Sequence, residues 1–227
     1  MSELFPDRIE TERLVLEHES PADADLFERY RHLSTDAVDA EGFEYIPLSP
    51  HEHPHDTAEL LGRRHERWVD GIGATYVVRP KAGEAGASEA GRASDSRAGD
   101  AHEAGPPAGE AELLADWEHR SAYFAFGLRK PFWGRGYSGE RAAALVSLAF
   151  DRLDLDVVTV THLDANENSR RAVEKYVERF GGRREGTIRN QITLDGEPVD
   201  TVRYSISRAE YQASDPDRDH TFQDVED

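Results

Sequence analysis

The chain has no cysteine among its 227 residues. Disulfides, thiolate metal sites and a covalent cysteine intermediate are therefore excluded. Lysine is nearly missing too: Lys81, Lys130 and Lys175 are the only three, and 27 basic residues face 46 acidic ones for a net charge of −19. Non-specific nucleic-acid binding needs a basic face, so this balance disfavours it. A surface so acidic and so poor in lysine suits a high-salt cytoplasm, where carboxylates stay hydrated and self-repulsion is screened. No apolar run is long enough to span a membrane; the longest near-continuous one, 142–150, fits an amphipathic helix. Met1-Ser2-Glu3-Leu4 opens no secretory signal, and a soluble cytoplasmic protein is expected.

Against that acidic background, residues 129–141 carry Arg129, Lys130, Arg135 and Arg141 with a single acid, Glu140. The same stretch holds Gly134, Gly136 and Gly139 between an apolar strand and a helix. Such glycines let a ligand lie against bare peptide N–H groups. Together with the positive end of the following helix, those groups form an anion site, which points to a phosphate-bearing ligand. The turn lacks the Gly-Lys-Ser/Thr ending of a Walker loop. Its spacing matches G-x-G-x-x-G, but it begins more than halfway along the chain, where a first βαβ unit does not lie.

Periodicity predicts one strand over residues 8–18, then a helix capped by Ser20 with Pro21 at its first position, running to about His32. A second helix is expected from Asp56 or Thr57 to Val69, with Arg63, Arg64, His65 and Arg67 on a solvated face. Residues 74–78 read as a strand. Residues 80–110 are rich in Ala, Gly, Glu, Ser and Asp and bury too little to order themselves, so they read as a flexible insertion between strands. A hairpin is expected over 112–128, turning near 119–121. Helices over 140–153 and 169–179 flank a strand at 157–163, and a final hairpin turns at Asp195-Gly196. The acidic tail, 213–227, is expected to fray. The expected organisation is one domain over 1–212 with the insertion at about 80–110.

The element order and three separated motifs resemble the GNAT N-acetyltransferases, in the branch of the ribosomal-protein alanine N-acetyltransferases (RimJ/RimL-type). The motifs are Thr11-Glu12-Arg13-Leu14-Val15-Leu16, Trp133-Gly134-Arg135-Gly136-Tyr137-Ser138-Gly139-Glu140, and Asn166-Glu167-Asn168-Ser169 through Lys175 with 184–189 after it. The resemblance implies an α/β (α+β) fold: a mixed, twisted sheet of about seven strands flanked by about four helices. It implies acetyl-CoA as co-substrate, with no metal. Backbone N–H groups of Arg135, Gly136, Tyr137, Ser138 and Gly139 would hold the diphosphate. Gly127, Leu128 and Arg129 would pair with the pantetheine arm like an added strand, and Asn166 would also bond that arm.

The resemblance makes Ser169 and Tyr176 the candidate catalytic residues, as donors to the departing thiolate. Ser169 also reads as a helix N-cap, and Tyr176 as a packing residue. The chain departs from the family pattern where a tyrosine is common, at Val173, and where a glutamate is common, at Tyr123; Tyr176 lies nearly one turn beyond Val173 and could substitute for that tyrosine only if the helix is shifted. The general base is not legible, although Asp116, Glu118 and His119 are expected near the acceptor side. His51, His53 and His55 alternate beside Asp56, but a proline-rich loop offers no rigid metal scaffold; acceptor recognition is the alternative. The implied acceptor is a primary amine, a protein N-terminus or a small amine, and the protein a monomer or homodimer. Two other classes stay open: a non-catalytic acyl-CoA-binding sensor, and a site for another phosphate ligand.

Overall fold

The computed structural model describes residues 4–34, 50–84, 104–194, 196–216 and 219–224. Among these described residues nine strands form one sheet in the order β7-β8-β6-β5-β4-β3-β2-β1-β9. In chain order the elements are β1 (Arg8–Glu10), β2 (Leu14–His18), α1 (Leu26–Leu33), α2 (Pro54–Val69), β3 (Gly73–Pro80), β4 (Gly109–Asp116) and β5 (Ser121–Leu128). Then follow α3 (Tyr137–Ser147), β6 (Val157–Leu163), α4 (Glu167–Arg179), β7 (Arg183–Leu194), β8 (Glu197–Ser207), α5 (Arg208–Ala213) and β9 (Thr221–Gln223). All neighbours pair antiparallel except β5 and β6, which are parallel. Among the described residues no helix is long and apolar enough to cross a membrane.

The core follows from alternation along the central strands. Ala74, Tyr76 and Val78 of β3, Ala111 and Leu113 of β4, and Ala122 and Phe124 of β5 are buried. Helix α3 adds Ala142, Ala144, Leu145 and Val146, continued by a turn of π-helix at Leu148–Arg152 that buries Leu148 and Phe150. Each large side chain so buried stabilises the fold by about 1.5–3 kcal/mol. The intervening residues of β4, Glu110 and Glu112, point to the other face, where α2 lies.

Several boundaries differ from the sequence expectation, each for a local reason. The strand expected over 8–18 is a hairpin, because Thr11 closes a turn by exchanging bonds with Leu14: Oγ1 accepts the Leu14 N–H at 3.0 Å and the Thr11 N–H donates to the Leu14 carbonyl at 2.9 Å. Helix α1 starts after Asp25, whose Oδ1 accepts the N–H groups of Phe27 and Glu28. Ser20 is instead held in a preceding turn by Asp23. The tail does not fray throughout: Phe222 packs on the core while β9 extends the sheet beside β1. The short helix α5, capped reciprocally by Ser207 and Glu210, is a fifth helix beyond the four expected. Residues 85–103, most of the expected insertion, and Asp195 of the last hairpin lie outside the described residues; Gly196 beside it has φ 83°.

Two diagonally neighbouring glycines, Gly109 opposite Leu128 and Gly127 opposite Glu110, shape the β4–β5 pair beside the cleft. A Cβ on Gly109 would stand 2.1 Å from the Gly127 carbonyl oxygen, so β4 and β5 can approach there only without a side chain. A Cβ on Gly127 would meet nothing within 4 Å, because it would point into an open cleft.

Candidate active site

The cleft begins where one seam of the sheet comes apart. Strands β5 and β6 pair from Ser121↔Val157 to Phe124↔Val160 and no further. Beyond that point β5 stays with β4 as far as Leu128↔Gly109, and β6 stays with β8 as far as Leu163↔Thr201. The last four residues of β5 and the last three of β6 therefore diverge as a V, opening a cleft of about 1750 Å³. An unpaired strand edge in such a cleft offers backbone groups to an extended, amide-bearing ligand.

At the mouth of the V stands the glycine turn. Gly134 and Gly136 take φ 75° and 82°, values that side-chain-bearing residues rarely adopt. Gly136 is the N-cap of α3, and no side chain caps the helix among the described residues. The N–H groups of Tyr137 and Ser138 have no intrahelical acceptor and remain for a ligand, backed by the helix dipole, whereas that of Gly139 donates to the Gly136 carbonyl at 3.1 Å. The Trp133 indole donates to the Leu128 carbonyl at 2.7 Å, tying the turn to the end of β5.

Glu140 holds this turn against the first hairpin. Its Oε1 accepts from the Thr11 hydroxyl at 2.5 Å and the Arg13 N–H at 2.7 Å, and its Oε2 accepts from Arg13 Nε at 2.8 Å. Arg13 Nη1 then donates to the Arg135 carbonyl at 2.9 Å. Two of the three quoted motifs thus meet here in space. From beneath, Arg141 donates to the carbonyls of Gly127 (2.8 Å) and Glu110 (3.1 Å) and to Ser138 Oγ (3.2 Å). Its guanidinium is buried, stacks 4.6 Å from the centroid of Phe126, and is pushed down to about 9 by desolvation.

On the far side of the V, α4 contributes one face. Asn166 caps it, accepting the Ser169 N–H at 2.9 Å, so the cap is Asn166 and not Ser169, and the helix starts two residues earlier than expected. Ser169, Ala172, Tyr176 and Arg179 line the cleft at helical spacing. Val173 is buried and does not line it. Tyr176 is 3% exposed, yet its hydroxyl has no hydrogen-bond partner. Burial pushes the phenol well above its ordinary range, against a smaller opposing effect from Arg141, so it stays protonated.

Ten of the eleven residues singled out from sequence line this cleft: Gly127, Leu128, Arg129, Gly136, Tyr137, Ser138, Gly139, Asn166, Ser169 and Tyr176. Arg135 does not; its carbonyl is held by Arg13 and its guanidinium lies 5.7 Å from the Phe132 ring centroid. Asp116, Glu118 and His119 sit at the exposed β4–β5 turn, where Asp116 accepts from the His119 N–H at 3.0 Å; they are not part of the cleft. The alternating histidines serve the start of α2. His51 is buried against Thr57 Oγ1 at 2.7 Å, His53 is the N-cap, and His55 is exposed near Glu59. Among the described residues no three metal-ligating side chains converge.

The opposite wall escaped sequence reasoning. Arg64 and Arg67 of α2 turn inward: Arg64 makes a fork of 2.9 and 2.6 Å with Glu110, and Arg67 reaches Glu112 at 2.8 Å. His65 is also turned in, with its Nδ1 buried and its ring 6.5 Å from that of His18. Arg29 of α1 also bonds Glu110. Burial alone would raise the Glu110 carboxyl, but the two guanidiniums outweigh it and hold it at about 2. The missed signal was positional. Arg64 shares a helical stripe with the buried Thr57, Leu61 and Trp68, and Arg29 shares one with Leu26 and Leu33. Glu112 lies directly opposite Ala125, the first residue past the end of β5–β6 pairing, which places it at the apex of the V.

Residues 13–176 match the family described as Acetyltransferase (GNAT) domain. The chain belongs to that family, in its RimJ/RimL-type branch. YdaF of Bacillus subtilis (strain 168), whose name assigns it provisionally as a ribosomal N-acetyltransferase, is 30% identical over 97 residues, 43% of this chain and 51% of that protein. The chain spans about half the length of the curated relatives it matches. A GCN5-related N-acetyltransferase from Brucella melitensis superposes with a TM-score of 0.67 at 18% identity, covering 94% of this chain and 87% of that one. The microcin C7 self-immunity acetyltransferase MccE, solved with acetyl-CoA and AMP, superposes with a TM-score of 0.68 at 13% identity, covering 86% and 93%. Both likenesses are of fold.

Proposed function

We propose that the protein transfers an acetyl group from acetyl-CoA to a primary amine, a protein N-terminus or a small amine, by direct attack in a ternary complex. The observation that carries this reading is the opened β5–β6 seam with the uncapped start of α3 at its mouth. The N–H groups of Gly136, Tyr137 and Ser138 would take the diphosphate, the free edge of β5 at 125–128 the pantetheine amides, and Asn166 the same arm from the other side. MccE, of the same fold, was solved with acetyl-CoA. The acting unit is the single domain over 1–212.

The amine nitrogen attacks the thioester carbonyl carbon, the carbon–sulfur bond breaks, one proton leaves nitrogen and one reaches sulfur. Positioning in the V supplies much of the rate. Glu112, at the apex, is the carboxylate placed to take the nitrogen proton, directly or through water. Glu110 is too weak a base, held at about 2. Tyr176, buried and protonated with an uncommitted hydroxyl, is the donor to sulfur; Ser169 lies on the same helix face two turns away.

The test is thiol release from acetyl-CoA in the presence of amines. Tyr176→Phe should lower kcat by about a hundredfold, the scale of a general acid, with acetyl-CoA affinity unchanged. Ser169→Ala should have the smaller effect. Binding of acetyl-CoA with no turnover of any amine would favour the non-catalytic sensor.

A further inference from the structure

The wall facing the glycine turn has a charge balance opposite to that of the chain. Helices α1 and α2, strand β4 and the residue after β5 bring four guanidiniums to the cleft, from Arg29, Arg64, Arg67 and Arg129, against two carboxylates, Glu110 and Glu112. Both carboxylates are already committed. Glu110 is forked by Arg64 and bonded by Arg29, and Glu112 takes Arg67. Arg29 has a further neighbour outside the cleft, Glu19, at 3.6 Å, which Glu19 shares with Arg79. Arg129 donates from Nη1 to the Pro107 carbonyl at 2.7 Å and makes no ion pair among the described residues; Glu28 of α1, which does not line the cleft, acts on it only at longer range. His32, in the same wall, is held at about 4, by burial first and then by the cations Arg129, Arg29, Arg31 and Arg79, so it stays neutral and adds no charge of either sign.

An incoming second ammonium would find no uncommitted carboxylate here and a surplus of cations. An anion would find Arg129 with donors to spare and three more guanidiniums lining the same cleft. A charge-assisted, forked bond from arginine to a carboxylate or phosphate is about twice as strong as a neutral one. Resting on the transferase reading above, we infer that the acceptor is a primary amine that carries an anionic group, carboxylate or phosphate, near the nitrogen, and that it is not a polyamine. The same cations favour the uncharged amine over its ammonium, which is the form that attacks.

The experiment compares kcat/KM for β-alanine, 2-aminoethyl phosphate, β-alaninamide and 1,3-diaminopropane, and for tripeptides beginning with aspartate or asparagine, by thiol release. Acetyl-CoA binding is titrated on the same samples. At least one anionic probe should exceed its neutral counterpart about tenfold, the scale of one hydrogen bond to a charged group, with the diamine poorest. Which of the carboxylate and phosphate arms leads identifies the anion. Arg129→Gln should pull the anionic-to-neutral ratio towards one, and Arg129→Lys should keep most of it. A diamine that matches the anionic probes, or a ratio unmoved in Arg129→Gln, overturns the inference. So does turnover of no anionic probe while acetyl-CoA binds normally, which leaves the cofactor site standing. Absent acetyl-CoA binding removes the transferase reading and this inference with it.

Discussion

The two walls of the cleft are built on different principles. The wall proposed for the cofactor is largely backbone: positive-φ glycines, an uncapped helix start and a free strand edge, stiffened by Glu140. The wall proposed for the acceptor is side chains from α1, α2 and β4, joined by ion pairs. A backbone site fixes one ligand shape and tolerates little change in sequence. A side-chain site can be re-charged one residue at a time, so acceptor choice can vary while the cofactor site stays.

Substitutions can break this division or sharpen it. The largest effect is expected at Gly109, where a methyl group would collide with backbone at 2.1 Å. Gly109→Ala should lose about 3 kcal/mol of stability or fail to fold, seen as a fall in thermal midpoint. Its partner glycine should behave oppositely, as noted last. Glu140→Ala removes the acceptor for Thr11 and Arg13 and leaves a half-buried guanidinium unpaired. It should lose about 2 kcal/mol and weaken acetyl-CoA binding, while the anionic-to-neutral acceptor ratio stays put. If the acceptor ratio moves with it, the walls are not independent.

The acceptor wall should reveal itself through acid. The Glu110 carboxyl is depressed to about 2 from its ordinary 4.5, so its stabilisation is whole above about pH 4.5 and is lost as pH falls towards 2. With part of the side chain exposed, this amounts to roughly 2 kcal/mol. Thermal midpoints of the wild type should fall more steeply than those of Glu110→Gln between pH 4.5 and 2. Parallel curves would mean that the two arginines do not hold Glu110 as described. The smallest stability effect is expected at Gly127, where a Cβ meets only the open cleft. Gly127→Ala should leave the midpoint unchanged yet raise KM for acetyl-CoA several-fold, because the methyl group narrows the slot beside β5.

The same contrast explains what could be read in advance. The glycine turn and the hairpin of β7 and β8 are local: a few adjacent residues state the conformation. The fold class and the family followed from the element order and three such motifs. The acceptor wall is non-local. Arg29, Arg64 and Glu110 are far apart in sequence, and a charged residue on an apolar stripe reads as surface until its partner is known. Arg64 was thus assigned to a solvated face, although its stripe runs through Thr57, Leu61 and Trp68. The split of the first strand was hidden for a similar reason: Thr11 closes a turn whose clamp, Glu140, lies 129 residues on. Tyr176 was placed a turn too far along the helix to serve, but helix phase sets it on the Ser169 face, while Val173 turns to the core.

The central claim is that the turn from Gly134 to Gly139, at the mouth of the open seam, holds acetyl-CoA. Its most direct test is calorimetric titration of acetyl-CoA, desulfo-CoA and ATP into the wild type and Gly136→Glu. Gly136 has φ 82° and a Cβ there would lie 3.3 Å from Arg13 Nη2, so glutamate brings strain as well as a carboxylate against the diphosphate. The wild type should bind acetyl-CoA and desulfo-CoA saturably and ATP not at all. The folded variant should bind about a hundredfold more weakly, close to 3 kcal/mol. Equal binding of acetyl-CoA by Gly136→Glu and the wild type would contradict the account.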